Sequence, residues 1–261
     1  AYNNLGVAVQ EQGRLEESVK AYHHAIHIQP DYADTYNNLG KALQGPGRLE
    51  ESIKAYHQAI HIQPDYADTY SNLIFAQDFL LEIGFKEQQA ERQKWNQRFI
   101  LPLANSIQPH PNDRNLERLL KIGYVSADFK RHSAAQGFGQ LILNYNRNQF
   151  DVFCYSGVVK EDEITKRFKD AASGWYSTRG KSDEELVEQI RNDEIDILID
   201  LSGHTDGNRL LAFGYKPAPI QVTGMGHDAP GVTTIDYRLT TPIRTQPEEE
   251  KIGRASCRER V

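Results

Sequence analysis

Three histidines occupy loops that follow predicted β-strands, an arrangement that suits acid–base chemistry. His132 comes after the apolar run Lys121–Phe129, His204 follows the run Asp196–Leu201, and His227 lies in a glycine-rich stretch after Val222. A neutral imidazole accepts a hydroxyl proton near pH 7, so each ring is a candidate general base. The alternative for each histidine is a hydrogen bond to loop backbone only. The three positions together predict that at least one of these rings touches substrate.

Other residues of the same loops are candidates for lining a cleft with these histidines. Asp128 either orients the ring of His132 or caps the following helix, and the sequence leaves both open. Thr205 and Gly226 belong to the loops that carry His204 and His227. The segment Gly224–Gly231 could present backbone amides to a phosphate, although it lacks the spacing of a dinucleotide or P-loop fingerprint.

The elements that must position these loops alternate between strand and helix. The predicted strands are 121–129, 151–156, 196–201, 219–223 and 235–239, and the predicted helices are 133–145, 182–193 and 207–215. Alternation of this kind predicts a parallel, doubly wound sheet. Ligands of such sheets sit beyond the carboxyl ends of the strands, which selects the loops 126–133, 202–208 and 224–231.

The first part of the chain is a duplicated unit. Ala1–Asp34 and Thr35–Asp68 match at most positions with a period of about 34, the length of a tetratricopeptide helix pair. Gly6 and Gly40 should allow close helix packing. Residues from Tyr70 onward begin a third unit that loses the pattern, as a capping repeat does. The remaining pattern positions are Tyr2, Leu5, Tyr22, Ala25 and Pro30 in the first repeat and Tyr36, Leu39, Tyr56, Ala59 and Pro64 in the second.

Polar residues of two types, asparagine and histidine, recur with the repeat. Asn4, Asn38 and Asn72 are predicted on the inner face, where a ladder of amides can bond the backbone of an extended peptide. The alternative is that these amides bond between neighbouring helices. The recurring histidines are interpreted as surface residues without metal-ligand geometry; they are His23, His27, His57 and His61.

Composition restricts the classes of function. The chain of 261 residues has a formal net charge of −6, which argues against a nucleic-acid clamp or a membrane-surface binder. No apolar run approaches the roughly 20 residues that span a bilayer. Cys154 lies in the apolar run Val152–Tyr155, which predicts a buried free thiol and a reducing, cytoplasmic setting.

Both ends of the chain look cut. Ala1 falls inside a predicted helix of the first repeat, and Lys251–Val261 breaks from the preceding pattern. That last string resembles a translated sequencing adapter, the alternative being a basic disordered tail. We therefore expect the gene to continue beyond Glu250. The predicted division is repeats over 1–84, a helical connector and linker over 85–119, an α/β lobe over 120–250 and a non-native tail over 251–261.

Several strings in the same order resemble the tetratricopeptide-containing protein O-linked N-acetylglucosamine transferases and their relatives, the Spindly-type protein O-fucosyltransferases. These strings are Ile122–Phe129 with His132, Phe153–Ser156, Asp196–Thr205 with Asn208 and Arg209, and Pro217–Thr223 with Ile235–Tyr237. With the repeats, the resemblance covers roughly Ala1–Pro247. The resemblance is therefore far more specific than the repeats alone.

The resemblance implies a GT-B fold, in which two Rossmann-like lobes enclose the active site and the carboxyl-terminal lobe holds most of the nucleotide sugar. Only the amino-terminal lobe is expected here. The implied reaction inverts the sugar's anomeric carbon, uses a Ser or Thr hydroxyl of a protein, and needs neither metal nor cofactor. The implied donor is UDP-N-acetylglucosamine. His132 matches the histidine that serves as a candidate base or acceptor-side residue.

Departures from the family pattern keep alternatives open. The stretch Gly224–Asp228 stands where the family commonly reads Trp-Leu-Gly-Tyr-Pro, either as a changed site or as sequencing damage. Val158–Lys160 is reminiscent of the Spindly branch, so GDP-fucose is the alternative donor. A non-catalytic repeat scaffold is the alternative from another class. For this chain alone we expect no turnover, because half of the cleft would be absent.

Overall fold

A computed structural model describes residues 1–45, 47–80, 82–115, 117–224 and 230–239. The chain divides into two compact units, Ala1–Trp95 and Asn96–Val261. Among the described residues, no helix is long and apolar enough to cross a membrane. The two units are helical and α/β, respectively, as the sequence predicts.

The first unit is a stack of helix pairs. Its helices are α1 (Tyr2–Glu11), α2 (Leu15–Ile28), α3 (Ala33–Leu43), α4 (Leu49–Ile62), α5 (Ala67–Gln77) and α6 (Phe85–Trp95). Tyr22 and Tyr56 are fully buried, each against the glycine of its own repeat. A Cβ atom placed on Gly40 would lie 2.5 Å from the Tyr56 ring, and Gly6 faces Tyr22 in the same way. The two glycines therefore permit the close packing that the sequence predicts.

The repeats differ at the end of their first helices. Helix α3 ends at Leu43, whereas α1 continues to Glu11, the residue that aligns with Gly45. Gly45 is a poor helix former and precedes a proline, a combination that disfavours helix at this point. The Gly-Pro pair therefore accounts for the early end of α3.

Helix α6 packs with the repeats. The Trp95 indole N–H donates to the Ala67 carbonyl over 3.3 Å, and the buried Arg92 guanidinium lies 2.6 Å from the Asp78 carboxylate. The compact division therefore falls after Trp95, and the beginning of the predicted connector 85–119 belongs to the helical unit. Helix α6 ends at Trp95 and is followed by a π-helical turn over Asn96–Ile100 and a 3₁₀ turn over Leu101–Ser106.

The predicted linker is fixed to the α/β unit by polar contacts although residues 107–115 form no helix or strand. The Asp196 carboxylate accepts hydrogen bonds from two guanidinium nitrogens of Arg118 (2.6 and 2.7 Å), from the Asn112 amide (2.8 Å) and from the Lys121 backbone N–H (2.9 Å). Burial opposes ionisation of this carboxyl, but those donors outweigh it and lower the pKa of Asp196. The ionised carboxylate anchors the linker at the amino end of the sheet.

The α/β unit contains one six-stranded parallel sheet. Its strands are β1 (Leu120–Ser126), β2 (Phe150–Ser156), β3 (Gly174–Ser177), β4 (Ile197–Asp200), β5 (Ile220–Gly224) and β6 (Tyr237–Leu239). The strand order is β3-β2-β1-β4-β5-β6, with every neighbouring pair parallel. This is the order of the doubly wound dinucleotide-binding sheets, so the predicted fold class is confirmed.

The helices between the strands are α7 (Ser133–Leu143), α8 (Glu163–Ala171), α9 (Asp183–Asn192) and α10 (Leu210–Gly214). Ser182 and Glu185 form a capping box at the start of α9, in the predicted helix 182–193. Helix α8 and strand β3 were not predicted. Phe168 of α8 joins the core over β1 and β2, and the partly buried Trp175 of β3 packs against that core.

That core also holds the Cys154 side chain. Cys154 is a fully buried free thiol, as the apolar run predicts. Burial in apolar surroundings raises the pKa of the Cys154 thiol well above its ordinary value. Cys154 is therefore a core side chain and not a reactive nucleophile.

Candidate functional site

The carboxyl ends of β1 and β4 form the switch point of the sheet. The chain runs from β1 outward to β2 and β3, then returns to β4 on the other side of β1 and continues outward to β6. Val125 of β1 and Asp200 of β4 are paired at this edge. Loops leaving two such strands diverge to opposite faces and open a crevice, which is where doubly wound sheets bind ligands.

The two loops at the switch point are in contact. The Leu201 backbone N–H donates to the Val125 carbonyl over 3.1 Å. Farther along, a Cβ atom on Gly207 would lie 2.9 Å from the Ala127 Cβ, and Gly207 has a φ of 75°. A glycine suits this position, since larger residues rarely adopt that backbone and have no room beside Ala127.

The loop after β1 presents an exposed histidine with a carboxylate beside it. The His132 side chain is 45% exposed, and its Nδ1 lies 3.6 Å from Oδ2 of Asp128, whose side chain is 15% exposed. Asp128 also lies 3.6 Å from the Lys130 ammonium. Both distances exceed a hydrogen bond, so Asp128 acts here as a nearby charge and not as a bonded partner of the ring.

His132 is also the N-cap of α7. Its Nδ1 accepts the Ala134 backbone N–H over 3.3 Å. In a neutral imidazole the nitrogen that accepts carries no proton, so the other nitrogen, Nε2, is the donor. In this geometry the exposed edge of the ring offers a hydrogen-bond donor. For Nε2 to act as a base, Nδ1 would have to carry the proton instead and donate it to Asp128, and the bond from the Ala134 N–H would be lost.

A groove of about 460 Å³ runs from His132 between α7 and α8. Its mouth is polar and its floor is formed by apolar side chains of both helices. The residues lining it are Lys130, Arg131, His132, Ala135, Gln136, Gly139, Gln140, Leu143, Ile164, Arg167 and Phe168. His204 is not among these lining residues, so the groove joins His132 to the α7–α8 face and not to the loop after β4.

The loop after β4 is organised by a buried carboxylate. Asp200, which is 1% exposed, accepts the backbone N–H groups of Ser202 (3.0 Å) and Gly203 (3.1 Å) and the Thr223 hydroxyl (2.8 Å). Hydrogen bonds of this kind are charge-assisted and strong in a buried setting. Asp200 was not singled out from the sequence, although an Asp that ends a strand before Ser-Gly is the signal for such a turn.

His204 follows that turn and is buried. Its ring is 4% exposed, and its Nε2 lies 2.8 Å from the Pro230 carbonyl, which can only accept. Nε2 is therefore the protonated nitrogen and ties this loop to the segment after β5. The Thr205 hydroxyl donates to the Ser202 carbonyl over 2.8 Å. These contacts favour the alternative of a loop-backbone role for His204, and contact of either side chain with substrate stays a prediction.

The third histidine loop lies outside the described residues. Gly226 and His227 belong to residues 225–229, and the described chain resumes at Pro230. Their predicted place beside the cleft is untested. Among the residues that the structure describes, no group of three or more His, Cys, Asp or Glu side chains could hold a metal ion.

Comparison with known proteins assigns this sheet and its edge loops to a family. Residues 100–252, more than half of the chain, match Glycosyl transferase family 41. The chain belongs to this family. Residues 10–45 and 46–77 match the tetratricopeptide repeat, in agreement with the helix pairs of the first unit.

Several relatives share parts of this family 41 chain. It is 36% identical over 175 residues to a rice (Oryza sativa subsp. japonica) protein named "Probable UDP-N-acetylglucosamine--peptide N-acetylglucosaminyltransferase SPINDLY", a match that covers 64% of this chain and 19% of the relative. The Arabidopsis thaliana relative named SEC, with the same enzyme description, is 37% identical over 46% of this chain and 13% of its own. The chain thus spans about a fifth of the length of the curated relatives it matches.

A solved structure has the same fold. The Thermobaculum terrenum O-GlcNAc transferase, as a K341M mutant, matches with a TM-score of 0.89 and 29% identity over 97% of this chain and 48% of its own. The match includes helical repeats and the parallel sheet, which supports the identification with the family.

Two of the three repeat asparagines of this family 41 chain bond between helices of neighbouring repeats. The Asn38 amide donates to the Asn3 carbonyl oxygen over 3.2 Å, and the Asn72 amide donates to that of Asn37 over 2.9 Å. Asn72 is 5% exposed, whereas Asn4 is exposed. These bonds are the alternative that the sequence left open. Peptide binding by the three residues stays a prediction.

The repeat histidines are on the second helices of their pairs. His23 and His27 lie on α2, His57 and His61 lie on α4, and all four are exposed. Their position agrees with the interpretation as surface residues.

Proposed function

We propose that this chain is part of a protein O-glycosyltransferase that transfers N-acetylglucosamine from UDP-N-acetylglucosamine to Ser and Thr hydroxyls of proteins. The family 41 match is the observation that carries the proposal. The names of the rice and Arabidopsis relatives and of the Thermobaculum enzyme support this donor and a protein acceptor.

In this reaction the acceptor oxygen attacks the anomeric carbon of the sugar from the side opposite the diphosphate. The bond from that carbon to the diphosphate breaks, UDP leaves with the bonding electrons, and the proton of the acceptor hydroxyl passes to the departing diphosphate or to water. Attack from the opposite side inverts the anomeric centre. Charge grows on the departing diphosphate and requires donors or cations around it. We propose that the reaction needs no metal or other cofactor.

We place the acceptor hydroxyl at the β1–β4 switch point, beside His132. Support comes from the exposure of this ring at the edge of the sheet and from the state of its two nitrogens. Because Nδ1 accepts the Ala134 N–H, Nε2 carries a proton and can donate to the acceptor oxygen. His132 is thus proposed as an acceptor-side residue that fixes this oxygen, in preference to a general base.

The GT-B arrangement places a second Rossmann-like lobe across the cleft, and the described residues form one sheet. We propose that most donors to the diphosphate belong to that second lobe. The chain of 261 residues is therefore expected to be inactive alone. We also propose that acceptor proteins are held by the repeats, with Asn4, Asn38 and Asn72 as the residues to test, and that the enzyme works in the cytoplasm.

The test is a transfer assay with the complete gene product, offered UDP-N-acetylglucosamine and GDP-fucose separately with a mixture of proteins as acceptors. Incorporation of N-acetylglucosamine that is lost on mild alkaline elimination, which releases O-linked sugars, supports the proposal. Incorporation of fucose alone would show that the donor is GDP-fucose and not UDP-N-acetylglucosamine. Transfer of neither sugar would favour the non-catalytic scaffold, and turnover by this chain alone would contradict the need for a second lobe.

A further inference from the structure

The groove between α7 and α8 carries positive charge that no function described so far uses. Lys130, Arg131 and Arg167 line it, and none of its lining residues is acidic. Within the described residues, the side chains of Arg131 and Arg167 make no hydrogen bond or ion pair. Arginines that are left without a partner at one site create a positive potential that attracts anions.

Two carboxylates beside the groove-lining segments have neighbours of their own. Asp128 lies beside Lys130 and His132, at 3.6 Å from each. Asp162 accepts the backbone N–H groups of Arg131 (2.7 Å), Ile164 (2.9 Å) and Thr165 (3.0 Å). The bond from the Arg131 N–H is the main reason why the pKa of Asp162 is lowered. Asp162 therefore fixes the mouth of the groove and leaves both guanidinium groups available.

The floor of the groove is apolar. Phe168 of α8 is 1% exposed and packs below the groove, while Leu143 and Ile164 border it as half-buried side chains. Gly139 lets the two helices approach, because a Cβ atom there would lie 3.3 Å from the Phe168 ring. The volume of about 460 Å³ is within the range of about 300–1,000 Å³ of ordinary ligand sites. A cationic mouth over an apolar floor suits a chain with an anionic side chain next to an apolar one.

The groove ends at His132, the residue beside which we place the acceptor hydroxyl. We infer that it is an acceptor subsite, which binds a segment flanking the modified Ser or Thr and selects an acidic or phosphorylated side chain close to an apolar one. Guanidinium groups suit both anions, since their planar fork pairs with carboxylate and phosphate alike. This inference rests on the proposed function for its acceptor, and it names residues that determine specificity.

The test measures the binding of labelled peptides to the complete protein in the absence of nucleotide sugar. Binding is detected as a rise in fluorescence anisotropy. The probes are short labelled peptides that each contain one Thr, one Leu and one phosphoserine. In the series, the Leu and the phosphoserine range from adjacent to about four residues apart. Matched peptides replace phosphoserine by Asp or Ser, or Leu by Ser. We expect the anionic peptides with Leu to bind more tightly than either neutral or Leu-free peptides, and added salt to weaken their binding.

The variants are Arg131→Gln with Arg167→Gln, and the matched control is Lys166→Gln. Lys166 is exposed on the same helix beside Arg167 but does not line the groove. The double variant should weaken binding of the anionic peptide about tenfold, or about 1.4 kcal/mol, and the control less than about twofold. Equal binding of charged and neutral peptides, or equal effects of the double variant and the control, would overturn the inference.

A second arm separates a protein ligand from a lipid. Vesicles containing phosphatidylserine are offered to the same variants. Binding of vesicles through Arg131 and Arg167, without binding of the peptides, would overturn the inference in favour of a membrane surface.

A transfer assay separates this inference from the proposed function. If the peptides bind through the two arginines but accept no sugar, the proposed function fails and the groove remains a peptide site. If they are glycosylated with the same KM whatever their charge, the groove inference fails alone. If both hold, the double variant raises the KM for the anionic peptide about tenfold and leaves kcat within about twofold.

Discussion

The loops after β1 and β4 leave the same edge of one sheet, each carries a histidine, and the two histidines have different environments. His132 is 45% exposed and caps α7 through Nδ1, whereas His204 is 4% exposed and donates from Nε2 to the Pro230 carbonyl. The buried carboxylate of Asp200 holds the second loop, and Asp128 merely lies near the first ring. Position at the edge of a sheet therefore does not assign a role; burial and hydrogen bonds do.

Among substitutions that test this difference between the loops, Asp200→Ala should cause the largest loss of stability. The change leaves two buried backbone N–H groups and the Thr223 hydroxyl without their acceptor, at about 1–3 kcal/mol for each donor left unsatisfied. We expect the free energy of unfolding of the α/β unit to fall by about 3 kcal/mol or more in urea titration, together with faster hydrogen exchange in β4 and β5. The control is Asp170→Ala, an exposed carboxylate on α8. Equal effects of the two would show that Asp200 does not hold the loop.

His204→Ala should have the next largest effect. It removes a buried ring and leaves the Pro230 carbonyl without this donor, which costs about 2 kcal/mol. The measurement is again urea unfolding, with hydrogen exchange at residues 201–209 as a local readout. A change below about 0.5 kcal/mol, the size typical of a surface substitution, would contradict a structural role for this ring.

Gly207→Ala tests the contact between the two loops. The added methyl group would sit 2.9 Å from the Ala127 Cβ, in a backbone conformation with φ of 75°. We expect a loss of about 1–2 kcal/mol and NMR shift changes at both Ala127 and the loop after β4. Gly180→Ala is the control, because φ there is 70° but no atom lies within 4 Å of the added Cβ. Equal losses would mean that backbone strain explains the effect without a contact between the loops.

His132→Ala should have the smallest effect on stability. The ring is exposed and contributes one N-cap hydrogen bond, worth about 1 kcal/mol. His132→Asn should restore most of this loss, because its side-chain oxygen can cap α7 in the same way. A loss as large as that of His204→Ala, or no restoration by Asn, would contradict the difference between the two histidines.

The fold could be predicted from the sequence where local signals were strong. Five of the strands and the helix over 182–193 were found, because apolar runs and periodic patterns are local features. Helix α8 was missed because its apolar contacts come mainly from Ile164 and Phe168, and its cap pairs Asp162 with Thr165 instead of the usual Ser/Thr with Glu. Strand β3 has four residues at the edge of the sheet, too short for a periodic pattern.

The switch point at the carboxyl edge of the sheet could be predicted from the sequence, but the environment of each side chain there could not. Burial depends on contacts distant in sequence, such as that of His204 with Pro230. The end of the repeat unit could not be predicted for the same reason, because α6 joins the repeats through contacts of Trp95 and Arg92 with residues distant in sequence. The cationic groove depends on α8, which was not predicted, so the role of Arg167 could not be inferred from the sequence.

The most direct test of the central claim is the rate of sugar transfer by the complete gene product with His132 replaced. If His132 contacts the acceptor oxygen at the β1–β4 switch point, His132→Ala and His132→Asn should both lower kcat by about a hundredfold, whereas the exposed control Lys166→Gln should not. If the fall of kcat at low pH disappears in His132→Asn, His132 acts as a base and not as a positioning residue. Transfer within about twofold of the wild-type rate in both His132 variants would contradict the claim.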